Sequence, residues 1–261
     1  MRFSFMSFSC PDADFAEFVG IAKRYGYDGI EPRTDSGHKH GIETGAAAAS
    51  LSEAKKIAAD SGVAICCVAT GCLYADPKTL DINIDKTKAA IELAASVGAP
   101  VIRVFGGTIP EGLPREAAFD SVVKGLSAVA ATAAAYNVTV CMETHDSWCD
   151  PTHVLKVIES VNHSNIKVNW DIMHPVITAG YAMNDAFNIL KGHIRHVHVH
   201  DGVRDDGKLV FKPIGAGAVD HRAAVQALRA SGYDGFISGE WIGWEPHDTH
   251  LPREIATLKS L

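Results

Sequence analysis

The chain has 261 residues, 47% of them hydrophobic, and a formal net charge of −7 at pH 7. This length suits one large domain with a substantial core, and the acidic balance argues against a nucleic-acid groove, which usually carries a basic excess. The six cysteines form no CxxC pair, no signal peptide is evident, and no apolar run approaches the ~18 residues of a membrane span, so we expect a reduced, cytoplasmic setting with no membrane partner.

Strand-like and helix-like segments alternate along the whole sequence. Short apolar runs predict eight strands, near residues 2–8, 28–31, 63–69, 100–105, 137–143, 166–171, 193–200 and 235–240. Helices are predicted between and after them, near residues 13–25, 50–61, 84–97, 115–135, 151–160, 183–190, 221–230 and 252–260. Eight strand–helix pairs are the count of a closed parallel barrel, and no linker divides them. We therefore predict an α/β fold, a single (β/α)8 TIM barrel over residues 1–261.

Carboxylate and imidazole residues end four consecutive strands in the second half of the chain. The segments VTVCMETHD, IKVNWDIMH, IRHVHVHD and GFISGEW carry the candidate ligands Glu143, Asp171, His198 and Glu240. The carboxyl ends of barrel strands form the catalytic face, so these side chains are expected to lie together. Oxygen donors with one imidazole suit Mn²⁺, Mg²⁺ or Co²⁺ better than a metal that prefers thiolates. A metal flanked by two glutamates is suited to moving protons next to a carbonyl.

The alternation of residues along these strands supports that placement, because alternate residues of a barrel strand face inward. If the candidate ligands face inward, the residues facing the helices are all apolar: Val140, Met142, Val168, Trp170, Val197, Val199 and Ile237. The layer below the ligands is small or polar, where a plain barrel interior favours Val, Ile or Leu; it comprises Cys141, Asn169, His196 and Ser238. Buried polar groups need partners, so this layer is expected to orient the ligands.

At these motifs the chain resembles the xylose isomerase-like TIM barrels, the sugar phosphate isomerase/epimerase superfamily that also contains ketose 3-epimerases and endonuclease IV. METHD, NWDIMHP, HVHVHDG, PIGAGAVD and GEW occur in family order, and YGYDGIEPR is similar to the family's second strand. The resemblance covers essentially the whole chain. It implies that Glu143, Asp171, His198 and Glu240 bind one divalent metal, Mn²⁺ by preference, with Mg²⁺, Co²⁺ or Zn²⁺ as alternatives. It also implies that His174 and Arg204 contact substrate oxygens. Homo-oligomers are common in the family, so a homo-oligomer is one possible state of this chain.

Several of these residues have a second interpretation. Asp171 could cap the helix that follows it. His196, His198 and His200 share one face of their strand, and His196 is expected to lie deeper as a hydrogen-bonded core residue. His200 is expected at the mouth, either contacting substrate or solvated. His145 follows a ligand-bearing strand and is interpreted as a substrate contact or as a surface loop histidine.

Arg103 and Trp241 are further candidates for substrate contact. Arg103 in VIRVF is predicted to point inward, where a buried arginine needs a carboxylate, and Glu31 is the expected partner. It would form a structural ion pair or bind an anion or hydroxyl of the substrate. Trp241 could line the pocket or simply pack.

The PIGAGAVD loop could cradle phosphate, as loops after late barrel strands often do, so phosphorylation of the substrate stays open.

Together the residues and the resemblance predict a metal-dependent isomerase or epimerase of a small carbohydrate, with no nucleic-acid partner. One glutamate removes a proton beside the carbonyl of a keto-sugar or sugar phosphate, and the other returns it, through an enediolate stabilised by the metal.

Three alternatives are open. A lyase or dehydratase on the same scaffold would act on a keto-sugar, a 3-keto glycoside or a dehydroshikimate-like substrate, with His145 as a candidate base. An endonuclease IV-like nuclease is disfavoured, because Thr70-Gly71 and Phe105-Gly106-Gly107 stand where its additional histidines would be. A non-catalytic sugar-binding or partner subunit is disfavoured because all four ligands are present.

Overall fold

The computed structural model describes residues 1–261, and its strands form one barrel and one hairpin. The strands are β1 (Arg2–Met6), β2 (Gly29–Glu31), β3 (Ala64–Ile65), β4 (Val68–Leu73), β5 (Val101–Phe105), β6 (Thr139–Glu143), β7 (Ile166–Asp171), β8 (Ile194–Val199), β9 (Asp201–Asp205), β10 (Lys208–Lys212) and β11 (Phe236–Gly239). All except β9 and β10 join a nine-stranded sheet in the order β3-β2-β1-β11-β8-β7-β6-β5-β4. Every pairing in this sheet is parallel.

The barrel closes through a strand that is interrupted near its middle. β3 pairs with β2, and β4 pairs with β5. Only Cys66 and Cys67 separate these two short strands in the chain, so β3 and β4 share one position of the barrel. A bridge between Arg33 and Ala69 links the same neighbours nearer the mouth. The predicted TIM barrel is confirmed.

Helices cover the outside of the barrel. They are α1 (Phe15–Tyr25), α2 (Ala48–Ser61), α3 (Leu80–Val97), α4 (Arg115–Ala135), α5 (Pro151–Val161), α6 (Met173–Ile177), α7 (Met183–Leu190), α8 (His221–Ala230) and α9 (His247–Ser260). The predicted start of α9 at residue 252 is wrong, because Pro252, a residue type common in the first helical turn, lies inside this helix.

One barrel helix is long and apolar enough to cross a membrane by length and composition alone. α4 has 21 residues, and 44% of its most apolar window is buried. This corrects the expectation that no segment approaches a membrane span. In the structure α4 packs beside α3 and α5 and against β6, and these contacts account for its apolar residues.

The alternation predicted for the barrel strands is confirmed. The residues expected to face the helices all belong to the main buried apolar cluster: Val140, Met142, Val168, Trp170, Val197, Val199 and Ile237. Because successive residues of a strand point to opposite faces, the residues between them point into the barrel. The candidate ligands therefore lie on the inner face.

The sequence interpretation missed the hairpin that follows β8. β9 and β10 pair antiparallel, and Asp206 and Gly207 between them have φ of 47° and 75°. Asp-Gly between extended residues favours such a turn, so the sequence did contain a signal for it. Phe211 on β10 packs against His200, with ring centroids 5.5 Å apart. The hairpin therefore stands beside the mouth of the barrel.

Candidate metal centre

Four strand ends bring four potential ligands to one point at the carboxyl end of the barrel. Glu143 ends β6, Asp171 ends β7, His198 is the penultimate residue of β8, and Glu240 directly follows β11. The strand register holds these four residues together. Asp171 on β7 and Ser238 on β11 are both paired with His198 on β8, and Glu240 follows Ser238 by two residues. One ligand atom from each residue lies within 4.8 Å of the others. All four side chains are buried.

His198 stands between carboxylates on both sides of its ring. Its Nδ1 lies 2.6 Å from Glu143 Oε1 and 3.3 Å from Glu240 Oε2. Its Nε2 lies 3.0 Å from Glu31 Oε1. Burial would lower the pKa of His198, but Glu31, Glu143 and Glu240 outweigh it and raise this pKa well above its usual range. The carboxylates therefore favour positive charge at this point, as a cation site requires.

Asp171 combines the helix-start contacts that its sequence allows with a place in the candidate ligand cluster. Its Oδ1 accepts hydrogen bonds from the backbone N–H groups of Met173 and His174, at 2.8 and 3.2 Å. It therefore fixes the start of α6 while its carboxylate stays in the ligand cluster. His200 Nε2 lies 2.8 Å from Asp171 Oδ2, and His200 Nδ1 lies 3.0 Å from the backbone oxygen of Glu240.

His200 is buried rather than solvated, with 3% of its surface exposed. Because both of its ring nitrogens face protein oxygens, it is placed to orient Asp171 and the chain at Glu240. Burial would lower the pKa of His200, but Asp171 outweighs this effect and raises it. The sequence predicts that His200 lies at the open mouth. In the structure Phe211 of the hairpin packs over its ring.

The layer below the ligands contains the predicted polar contacts. Asn169 Nδ2 donates to Glu143 Oε1 at 3.0 Å. His196 Nε2 lies 2.8 Å from Glu31 Oε2, so His196 supports the carboxylate that in turn faces His198. Cys141 and Ser238 are buried in the same layer. This layer therefore contacts the candidate ligand Glu143 directly through Asn169, and the candidate ligand His198 by way of Glu31.

Arg103 joins the two glutamates of the cluster, and its predicted pairing with Glu31 is wrong. Arg103 Nε lies 3.3 Å from Glu143 Oε2, and its Nη2 lies 3.8 Å from Glu240 Oε1. Its Nη1 donates to the carbonyl of Thr70 at 2.8 Å. Glu31 is held by His196 and His198 instead, because these histidines face it across the barrel.

His145 and His174 stand at the mouth above the cluster. Their ring centroids are 4.3 Å apart, and His174 lies 5.6 Å from the ring of His200. His145 Nδ1 lies 3.0 Å from Asp146 Oδ1. Burial would lower the pKa of His145, but the hydrogen bond and charge of Asp146 together with the charge of Glu143 outweigh it and raise the pKa to about 9. Both side chains are half-buried, so they can reach a molecule in the mouth.

Arg204 and Trp241 are not brought to the cluster. Arg204 is exposed on β9, where its Nη2 donates to Thr178 Oγ1 at 3.2 Å and its Nη1 donates to the Gly207 carbonyl at 3.1 Å. Trp241 is 1% exposed and packs on His250, with ring centroids 4.9 Å apart. A substrate contact of either residue stays a prediction from the sequence.

Two residues at the end of the second strand were missed as parts of the site. Glu31 ends β2, as Glu143 ends β6, and it contacts the candidate ligand His198. Arg33 follows it by two residues and therefore faces the same side of the barrel, nearer the mouth. The motif YGYDGIEPR contained both residues, and a carboxylate ending a strand was the available signal.

The donor set fits a hard divalent cation. Three carboxylates and one imidazole surround a single point, which is a ligand set typical of Mn²⁺ or Mg²⁺. Glu143 Oε2 and Asp171 Oδ2 are buried without a well-oriented hydrogen bond, although Arg103 Nε and His200 Nε2 lie 3.3 and 2.8 Å away. Lone pairs of these two oxygens are therefore available to a cation. Glu143, Asp171, His198 and Glu240 are the residues that could hold it.

The chain matches one known protein family over most of its length and two known proteins over part of theirs. The family model described as xylose isomerase-like TIM barrel matches residues 19–261. An uncharacterised protein of Methanocaldococcus jannaschii is 26% identical over 168 residues, which cover 61% of this chain and 56% of that protein. The 2-oxo-tetronate isomerase of Haemophilus influenzae is 22% identical over 161 residues, which cover 58% of this chain and 59% of that enzyme. The matches thus span less than two thirds of both relatives.

Solved structures resemble the chain over nearly its whole length. The IolI protein with a bound zinc atom has a TM-score of 0.82 at 19% identity, covering 100% of this chain and 96% of that one. A probable 3-DHS dehydratase of Bacillus anthracis has a TM-score of 0.81 at 21% identity, covering 99% of each chain. The 3-keto-D-glucoside 4-epimerase of E. coli has a TM-score of 0.81 at 18% identity, covering 100% of each chain. At such identities the likeness establishes the fold alone.

Proposed function

The chain belongs to the xylose isomerase-like TIM barrel family, and from this membership we propose that it is a divalent-metal-dependent isomerase or epimerase of a keto-sugar. One observation carries the proposal: ligand atoms of Glu143, Asp171, His198 and Glu240 meet within 4.8 Å in a buried site at the catalytic end of the barrel. The names of similar proteins, which include an isomerase and an epimerase, support this class of reaction.

A divalent cation is the cofactor of this proposal, and the oxygen-rich donor set favours Mn²⁺. When bound, it would supply Lewis-acid polarisation of the substrate carbonyl and balance the negative charge that develops as the neighbouring carbon loses its proton. The bound zinc atom of one structural neighbour supports a metal in this fold. His198 would offer Nδ1, since its Nε2 faces Glu31.

The two glutamates are the acid and base of the proposed reaction. β7 and β8 separate their strands β6 and β11 in the sheet, so Glu143 and Glu240 approach the site from different sides. Burial would raise the pKa of Glu240, but His198 and then Arg103 outweigh it and lower this pKa to about 2. Glu240 is therefore an anion at neutral pH and can accept a proton. One glutamate removes the proton beside the carbonyl; the other returns one to the opposite face or to the adjacent carbon.

Three neighbouring side chains would position the reacting groups. Arg103 contacts both glutamates and so fixes their separation, while staying charged. His145 and His174 stand at the mouth, where they can hold substrate hydroxyls. A return of the proton to the opposite face gives epimerisation, and a return to the adjacent carbon gives isomerisation.

Product analysis tests the proposal and separates it from its alternative. Protein loaded with Mn²⁺ is incubated with ketoses, 3-keto sugars and their phosphates, and the products are identified by NMR. An epimer or an aldose is the expected product, and EDTA should abolish its formation. Turnover that persists at the full rate after removal of all divalent metal would overturn the proposal.

A lyase is the second candidate, and the position of His145 favours it. This histidine lies at the mouth close to His174. Asp146 and Glu143 raise its pKa to about 9, so at neutral pH the protonated ring could donate a proton to a leaving group instead of acting as the predicted base. A probable dehydratase is among the structural neighbours. An unsaturated product in the same assay would establish elimination.

Homo-oligomerisation and a cytoplasmic location remain predictions from the sequence.

A further inference from the structure

Arg33 is fixed at the mouth of the barrel by its backbone. Its N–H donates to Ser7 Oγ at 2.9 Å, and its carbonyl oxygen lies 3.2 Å from His40 Nε2. The bridge to Ala69 ties it to the neighbouring strand. Glu31, two residues earlier, points into the barrel toward His198, so Arg33 occupies the same inner face one layer nearer the mouth.

The guanidinium of Arg33 is half-buried and has no carboxylate partner. It forms no ion pair, and only its Nη1 makes a hydrogen bond, to the adjacent carbonyl of Thr34. Its Nη2 lies over Gly71, 2.9 Å from the place where a Cβ would stand, so a larger residue at position 71 would displace this flexible end of the side chain. Burial and then the charge of Arg103 lower the pKa of Arg33 to about 10. Asp35 and Glu240 act on this guanidinium as opposing charges, but neither forms an ion pair with it, so Arg33 can still receive an anion that enters the mouth.

The Gly-rich loop 213–220, which could have bound a phosphate, is already filled by a carboxylate of this chain. Asp201 Oδ2 accepts from Gly215 N–H at 2.8 Å and Gly217 N–H at 3.0 Å. Its Oδ1 accepts from Gly202 N–H at 2.8 Å and Val219 N–H at 3.2 Å. Asp201 is fully buried. The amide groups of the loop therefore point at Asp201 and are not free to hold a phosphate.

We propose that Arg33 binds a carboxylate of the substrate, and that the substrate is a keto-sugar acid instead of a neutral ketose or a phosphate ester. The planar fork of an arginine matches one carboxylate with two parallel hydrogen bonds. A phosphate would need further donors, and the Gly-rich loop does not offer them. This assignment rests on the proposed isomerase or epimerase function and names its substrate class.

The test compares matched substrates in D₂O with Mn²⁺-loaded protein. The neutral ketoses fructose and tagatose are paired with the acids fructuronate and tagaturonate and with the corresponding 6-phosphates, and deuterium uptake beside the carbonyl is followed by NMR. We expect an acid to exceed its neutral partner in kcat/KM by roughly 10- to 100-fold, the factor expected of one charge-assisted contact. Arg33→Gln should remove this preference, Arg33→Lys should keep part of it, and the exposed helix variant Arg24→Gln should keep it in full.

The outcomes distinguish failure of the Arg33 assignment from failure of the proposed isomerase or epimerase function. If the protein exchanges neutral ketoses or phosphates as efficiently as the acids, the Arg33 assignment is wrong and the proposed function stands. The assignment is also wrong if folded Arg33→Gln protein, checked by circular dichroism, retains the preference for acids. Absence of exchange with every substrate overturns the proposed function, and the assignment with it.

Discussion

Glu31 Oε1 lies 3.0 Å from Nε2 of His198, although their strands β2 and β8 are separated by β1 and β11 in the sheet. The other oxygen of Glu31 lies 2.8 Å from His196 Nε2, which holds the carboxylate in place. A carboxylate behind a histidine fixes the ring and leaves the opposite nitrogen free as a ligand. Glu31 is therefore placed to orient His198 toward Glu143 and Glu240.

We predict that Glu31→Gln weakens Mn²⁺ binding by roughly 10- to 100-fold, because removal of the partner behind a ligating histidine typically has this effect. Isothermal titration calorimetry measures the change directly. The matched control is Glu53→Gln, which alters an exposed glutamate on α2 and should bind Mn²⁺ as the unmodified protein does. An unchanged Mn²⁺ affinity of Glu31→Gln would show that Glu31 does not orient the ligand.

We predict that Glu143→Gln and Glu240→Gln each lower kcat by roughly 10²- to 10⁴-fold or more, since each removes one of two proton-transfer groups. Steady-state kinetics on the substrate identified by product analysis gives the value, and circular dichroism checks the fold. Glu116→Gln, on the exposed start of α4, is the control. Near-full activity of Glu240→Gln would make the two-glutamate scheme wrong.

The sequence predicted the barrel and the four candidate ligands because both follow from local patterns. The alternation in β6, β7 and β8 decides which side chains face inward, and strand ends decide which reach the mouth. The contacts across the barrel were harder to predict. Arg103 was paired with Glu31, but the closed barrel places Glu31 opposite His196 and His198. Such pairings depend on barrel geometry and not on neighbours in the chain.

The surroundings of the mouth were also beyond the sequence interpretation. The hairpin of β9 and β10 covers His200 and carries Arg204 on its exposed surface, and the sequence analysis predicted no strand in this region. Trp241 lies next to Glu240, yet its ring packs under Gly239 and against His250. Adjacent residues point in opposite directions from a strand, so proximity in sequence to a ligand did not imply a place in the site.

We predict that Asp201→Asn destabilises the fold by about 2–4 kcal/mol, because an amide nitrogen replaces one oxygen and leaves buried N–H groups of loop 213–220 unsatisfied. Urea unfolding measures the loss. Asp220→Asn is the matched control: Asp220 caps α8 through one bond to Ala223, and asparagine is an equally good cap. Equal stability of the two variants would contradict the anchoring role of Asp201.

We predict that acid weakens the fold partly through His40 and His250, whose burial lowers each pKa to about 4. Below about pH 6.5 these two histidines bind protons in the unfolded chain but stay neutral in the folded protein. The free energy of unfolding therefore falls as the pH drops toward 4, by up to about 1.4 kcal/mol per pH unit for each histidine. Above this range they contribute no pH dependence. Urea unfolding at pH 7 and pH 5 should show a smaller loss in the variant with His40→Gln and His250→Gln, and equal losses would contradict the prediction.

Proton–deuteron exchange in D₂O tests most directly whether Glu143 and Glu240 move a proton beside a carbonyl. Mn²⁺-loaded protein is incubated with ketoses, keto-sugar acids, 3-keto sugars and sugar phosphates, and deuterium is located by NMR. We expect deuterium on the carbon beside the carbonyl of one substrate, and none with Glu240→Gln. Its position in the product then distinguishes epimerase, isomerase and lyase. Bound Mn²⁺ without exchange in any of these substrates would contradict the proposed function.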